Sequence, residues 1–221
     1  MFIGHWAPAL AAAAHPKAPG LGTLFLAGQL VDWAFFAFVL ADIEHLRLSP
    51  GVSVMNPMDL YHMPYTHSLA GTLVFAAGFA ALIWLATRNR VGAMIGGAVV
   101  VSHWFVDLLV HVPDLTLWGD PPKFGLGLWN HPALAMPLEL ALVALTFAVL
   151  IRARQPARRG QVALGVLAAV MLAVQMVNWF GPPPTKPDFA AALMVFGTYG
   201  VITLIAAWAG RRVPRPKETP A

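Results

Sequence analysis

The sequence predicts an all-α, polytopic bundle of transmembrane helices, with six spans preceded by a short N-terminal helix. Three observations carry that prediction. Hydrophobic residues make up 58% of the 221 and charged residues only 11%, and the mean hydropathy of +0.68 lies well outside the range of water-soluble domains. Apolar stretches repeatedly approach or exceed the roughly 18 to 20 residues that cross a hydrocarbon core about 30 Å thick. Between them stand charged or proline-rich breaks: "RNR" at 88–90, "RARQPARR" at 152–159 and "GPPPTKPD" at 181–188.

Taken in order, the opening "MFIGHWAPALAAAAHPKAPG" has no basic residue ahead of its apolar stretch, unlike a cleaved secretory signal. It is expected to form a retained helix over residues 2–14, too short to span. The spans follow at 21–41, 67–87, 91–110, 132–151, 161–180 and 190–210, all in one integral-membrane domain. A longer polar loop joins the third and fourth, the proline run at 181–188 predicts a stiff turn, and residues 211–221 form a basic tail. Gly92, Gly96 and Gly97 let the third span pack closely on a neighbour. Several tryptophans near predicted edges fit an interfacial belt.

Basic residues set the expected orientation. Arg88, Arg90, Arg152, Arg154, Arg158, Arg159, Arg211, Arg212, Arg215 and Lys217 follow spans two, four and six, and Lys17 precedes span one. Only Arg47, Lys123 and Lys186 occupy the opposite loops. The positive-inside rule then puts both termini in the cytoplasm of a bacterial inner membrane. It also accounts for the net charge of +4 and pI near 9.9 without a nucleic-acid partner, so membrane lipids are the expected surroundings. Cysteine is absent, which excludes disulfides and thiolate metal sites.

The third span contains an anomaly. In "VVVSHWFVDLLVHVP" at 99–113, His103, Asp107 and His111 recur every fourth residue. At about 100° per residue they fall within roughly 80° of one another, on one face. A lone histidine in a span is most simply satisfied by a neighbouring helix, but ionisable groups in lipid are costly and mark function by default. An imidazole and a carboxylate one turn apart can hold a divalent cation.

Depth supplies the partners. Asp32 in "GQLVDWAFF" lies about eleven residues into span one, roughly 16 Å deep, and His103 lies about twelve residues in from the same side. If the N-terminal helix turns back at "HPKAPG" against span one, His5 rises by about 15 Å to that level. His67, at the start of span two, should lie near the level of His111. His5, Asp32, His67, His103 and Asp107 therefore form a candidate ligand set for a divalent ion, zinc first and manganese or iron next. His62, His45, His111 and Asp114 are candidates at the mouth or in surrounding loops. Glu139 should face the bundle interior, paired with Asn178 or a charged ligand, or handling protons. His15 and His131, beside prolines at span ends, are read as structural.

These motifs resemble the bacterial membrane-bound metal-dependent hydrolases, small multi-pass inner-membrane proteins that include an SOS-inducible member. The similarity covers about residues 1–110 and rests on Gly4-His5, Asp32, "THS" at 66–68 with His62 five residues before His67, and Ser102-His103 followed by Asp107. Met63-Pro64 stands where that family has Arg-Gly, and its Pro-Asp-x-Asp-His cluster is divided here between Asp32 and "ADIEH". The resemblance implies metal-dependent hydrolysis.

The expected function is thus a membrane-embedded hydrolase whose site opens toward the outer face onto a lipid or envelope-derived substrate. Asp32 or Asp107 would serve as ligand or base, and His62 or His111 as general acid. An ion- or proton-coupled permease, or a scaffold or sensor with a structural metal, are the alternatives that use the same residues.

Overall fold

The computed structural model describes residues 1–182 and 189–214, so the proline run from 183 to 188 and the tail from 215 lie outside the described residues. The chain folds as an all-α bundle. Among the described residues, five helices are long and apolar enough to cross a membrane: α4 (Leu69–Thr87), α5 (Arg90–Val110), α6 (Pro132–Arg154), α7 (Arg158–Phe180) and α8 (Phe189–Gly210). A further pair, α2 (Leu21–Gly28) and α3 (Leu30–Leu40), meets at 51° and is together long and apolar enough for a broken span or a re-entrant segment. Helix occupies each of the six stretches expected to span, but the first is broken rather than continuous.

The break has a local cause and a local use. Gly28 packs so tightly on the N-terminal segment that a Cβ there would stand 2.7 Å from the carbonyl oxygen of His5. Gln29, completely buried, takes a non-helical conformation between the two helices. Interrupted backbone in a membrane must find other partners, and here side chains from the N-terminal segment and α5 supply them.

The N-terminal segment is a 3-10 turn, Ile3–Trp6, running into α1 (Ala7–Ala12) with Pro8 in its first turn. It is shorter than the predicted helix and lies in the middle of the bundle. Ile3, Trp6, Ala9 and Leu10 are essentially inaccessible, and α1 packs on α2 and α6. The Trp6 indole donates to Phe25 O at 3.0 Å, while the Arg154 guanidinium donates to the carbonyls of Ala13 and His15 just past the end of α1.

α4 and α5 form a tight hairpin. Ser68 caps α4 by accepting from Gly71 N, Arg88 ends it in the left-handed region, and Asn89 caps α5 by accepting from Gly92 N. Gly96 and Gly97 allow the close approach: a Cβ at Gly96 would collide with Ile83, and one at Gly97 would press the Ala76 carbonyl.

At the other end from the arginines, two short antiparallel hairpins replace what reads as loop. β1 (His45–Leu48) pairs with β2 (Met58–His62), and β3 (Leu115–Thr116) with β4 (Lys123–Phe124). Phe35, Leu60, Met63, Trp104 and Leu115 join them to α3 and α5 in a small apolar cluster.

Candidate metal centre

The site forms where the interrupted span, the N-terminal turn, the start of α4 and the last turns of α5 meet. His5, Asp32, His67, His103 and Asp107 come together there from four separate segments. The four-residue spacing on α5 stacks His103 and Asp107, with the His103 Nε2 atom 3.1 Å from Asp107 Oδ2. His67 Nε2 stands 3.4 Å from Asp32 Oδ1 and 3.6 Å from Asp107 Oδ2, and His103 Nε2 stands 3.5 Å from Asp32 Oδ1. A tetrahedral ion with bonds of about 2.0–2.2 Å separates its ligands by about 3.3–3.6 Å. Three of these four separations fall in that range, and the donors form two overlapping triads, Asp32, His67 and His103, and His5, His103 and Asp107, each compact enough to hold an ion.

The other carboxylate oxygen of Asp107 gathers a second group. His5 Nε2 lies 2.8 Å from Oδ1, His111 Nε2 lies 3.3 Å from it, and the Met1 nitrogen 3.0 Å. His5 and His103 are in ring contact, with centroids 3.8 Å apart.

Whether these residues suit a cation can be judged from the hydrogen atoms. His103 Nδ1 is 2.9 Å from the carbonyl oxygen of Gly28, an atom that can only accept, so Nδ1 carries a proton and the neutral ring presents a lone pair at Nε2. That lone pair faces carboxylate lone pairs. Both His103 Nε2 and Asp107 Oδ2 are buried without a hydrogen-bond partner among the described residues. Two acceptors 3.1 Å apart repel unless a proton or a metal cation lies between them, and buried polar groups are otherwise satisfied as a rule. The donor set, imidazole and carboxylate without sulfur, fits zinc, manganese or ferrous iron.

Neighbouring groups fix the remaining side chains. Gln29 donates its amide to Phe2 O at 3.4 Å, which turns its oxygen toward His5 Nδ1 at 3.1 Å and leaves His5 Nε2 for Asp107. The Tyr199 hydroxyl on α8 donates to Asp32 Oδ2 at 3.1 Å. His111 Nδ1 is 2.8 Å from Asp114 Oδ1. Burial disfavours a charge on His111, but the carboxylates of Asp107 and Asp114 outweigh it and raise the imidazole to about 9. Such outer partners orient metal-binding side chains.

The other sequence candidates divide. His111, expected at the mouth, is buried with the cluster and lies against the Trp129 ring, centroids 4.3 Å apart. His62 is exposed on β2, where its ring stacks on its cross-strand neighbour His45 at 5.3 Å, outside the buried cluster. The interval of five residues placed it near His67 along the chain, but Met63 and Pro64 lead away from the strand before Thr66 and His67 turn inward. His45 pairs with the exposed Asp42.

Glu139 faces the interior as expected, with a different partner. It accepts the backbone N–H groups of Phe2 at 2.7 Å and Gly4 at 2.9 Å, and the Gln175 amide at 3.3 Å; Gln175 in turn accepts from Ile3 N at 3.2 Å. Gln175, and not Asn178, completes this clamp on the segment that carries His5. Gln29, Tyr199 and Gln175 were not singled out from sequence, since an uncharged polar residue in a span has many structural uses. Comparison with known proteins returns no match, whether to a family model, a curated sequence or a solved structure.

Proposed function

We propose that this chain is a membrane-embedded, metal-dependent hydrolase, with the hairpin end of the bundle directed away from the cytoplasm of a bacterial inner membrane. The observation that carries the metal reading is the buried, unpartnered pair His103 Nε2 and Asp107 Oδ2 among two compact donor triads, Asp32, His67 and His103, and His5, His103 and Asp107. The resemblance of its motifs to membrane-bound metal-dependent hydrolases supports the same reading, and the position of the site between apolar helices supports a lipid or envelope-derived substrate.

His67, His103, Asp32 and Asp107 would hold the ion, and Asp107, through its second oxygen, also orients His5 and His111. A divalent ion there supplies Lewis-acid polarisation of a phosphoryl or acyl oxygen and acidifies water. His111, with Nδ1 held by Asp114, is placed to keep a proton on its ring and deliver it from Nε2 to a leaving group. Tyr199 restrains Asp32 so that Oδ1 is directed at the donor set. The apolar cluster of Phe35, Leu60, Met63, Trp104 and Leu115 borders the site through the Phe35 ring, edge-on to His67 at 5.1 Å, and limits water on that side.

A proton or ion relay would continue from Asp107 toward the arginine-rich end. Glu139 and Gln175 extend the polar region, but the backbone of residues 2–4 occupies both, which weighs against a transport path.

Metal analysis of protein purified in detergent tests the proposal. Stoichiometric zinc, manganese or iron is expected in the native chain and lost when His103→Ala and Asp107→Ala are combined. Absence of metal from the native protein, or its retention in the double variant, would overturn the reading. Hydrolysis of bis(p-nitrophenyl) phosphate or p-nitrophenyl butyrate, lost on chelation, then tests the reaction class.

A further inference from the structure

Between α3 and α4 lies a buried carboxylate that the centre does not touch. Glu44 is completely inaccessible. Its Oε1 accepts from the backbone N–H groups of Tyr65 at 2.8 Å and Thr66 at 2.9 Å, and its Oε2 accepts the Thr66 hydroxyl at 2.6 Å. Both carboxylate oxygens are thus occupied as acceptors, Oε1 by two backbone N–H groups and Oε2 by the hydroxyl. The same Thr66 oxygen lies 2.8 Å from His67 Nδ1.

A hydroxyl has one proton. Because Thr66 gives it to Glu44, its oxygen can only accept from His67, so the ring proton sits on Nδ1. In the neutral ring Nε2 is then the lone-pair nitrogen, facing Asp32 Oδ1 and Asp107 Oδ2. His67 differs in this from His103 and His5, whose partners are a carbonyl and an amide oxygen that accept in any case. A threonine unconstrained by Glu44 could instead donate to Nδ1, which would move the ring proton to Nε2. That proton would point at the carboxylates and satisfy them without a cation.

We propose that Glu44 is a positioning residue for the metal centre: acting through Thr66, it holds His67 in the Nδ1–H tautomer and keeps Nε2 free as a donor to a divalent cation. The inference rests on the metal reading above, but the tautomer is a property of the metal-free protein. Glu44→Gln is the informative change because it is nearly isosteric. With its oxygen still held by the two backbone N–H groups, its amide NH₂ replaces Oε2, donates to Thr66, and reverses the direction of the chain.

The experiment is nitrogen NMR of the full-length, metal-stripped protein in detergent with ¹⁵N-labelled histidine, the His67 signals being assigned by their loss in His67→Gln. The native protein and Thr66→Ser should show protonated Nδ1 and bare Nε2. Glu44→Gln and Thr66→Val should move the proton wholly or partly to Nε2, and zinc affinity should fall about 10- to 100-fold, while the thermal transition of the metal-free protein shows that each variant is folded. A native His67 protonated on Nε2, or a ring signature unchanged in both Glu44→Gln and Thr66→Val, overturns the proposal. If zinc nevertheless binds in that case, the metal reading survives alone; if the native protein binds no zinc, the metal reading itself falls.

Discussion

Replacing Glu139 by alanine should loosen the N-terminal segment from the bundle without unfolding the remaining helices. Its carboxylate is 4% exposed and accepts the N–H groups of Phe2 and Gly4. Removing it strands the Gln175 amide and, on the segment itself, two backbone donors. Each costs about 1–3 kcal/mol, so the docked segment loses about 2–6 kcal/mol. Glu139→Gln keeps an acceptor oxygen and forfeits only the charge assistance, about 1 kcal/mol per bond or roughly 2 kcal/mol in all. Hydrogen–deuterium exchange read by mass spectrometry reports the opening directly. At about 1.4 kcal/mol per factor of ten, exchange in residues 2–10 should accelerate at least ~30-fold in Glu139→Ala. Peptides from α4 and α7 should stay at native rates. His5 travels with the segment, so metal affinity should fall in the same order, alanine below glutamine below native. Exchange in Glu139→Ala within threefold of native would refute the clamp, and equal acceleration across α4 and α7 would show that Glu139 supports the whole bundle instead.

Three further outcomes follow from the geometry. Gly28→Val places branched carbons where the His5 carbonyl already stands 2.7 Å from an ideal Cβ, so it should separate the N-terminal turn from α2 and reduce metal content measured after gel filtration, whereas Gly78→Ala, at a position open to its surroundings, should not. Tyr199→Phe leaves Asp32 Oδ2 without its hydroxyl donor and should weaken zinc binding about tenfold by competition with a chromophoric chelator; an unchanged affinity would exclude Tyr199 from orienting Asp32. Zinc affinity should also rise with pH. In the metal-free site His111 keeps its proton up to about 9, and a cation beside Asp107 weakens the carboxylate hold on that proton. Binding therefore releases a proton in a window just below this value, and neither above it nor at lower pH, where Asp114 helps the ring keep the proton it delivers, a difference that calorimetry in buffers of unequal ionisation enthalpy measures.

What could be read in the sequence follows from what membranes penalise. Long apolar runs locate helices because nothing else supplies partners for backbone groups in lipid, and the observed bounds of α4 through α8 match the expected spans to within three residues. The charged and imidazole groups were legible for the same reason: His103 and Asp107 are too costly in a span to be incidental. Depth along each helix then placed Asp32 beside His103, since rise per residue is fixed. Rotation about each axis is not fixed by depth, so the order of donors around Asp107 required the structure. The short hairpins escaped because strands of two to five residues carry too little alternation to distinguish from loop, and with them went the true position of His62.

The interruption at Gln29 was the least legible feature and has the most consequence for the site. A continuous span from 21 to 41 would spend the Gly28 carbonyl on the next turn of its own helix. Broken, it leaves that oxygen free to take the proton of His103 Nδ1, and places the Gln29 amide where it sets the ring of His5. In a dry interior each imidazole has only the partners that the fold provides, so choosing the acceptor for Nδ1 also decides what Nε2 can do. The backbone defect and the orientation of the candidate imidazole donors are therefore one feature. A substitution that restored a straight helix across Gln29 should preserve the span and abolish the centre.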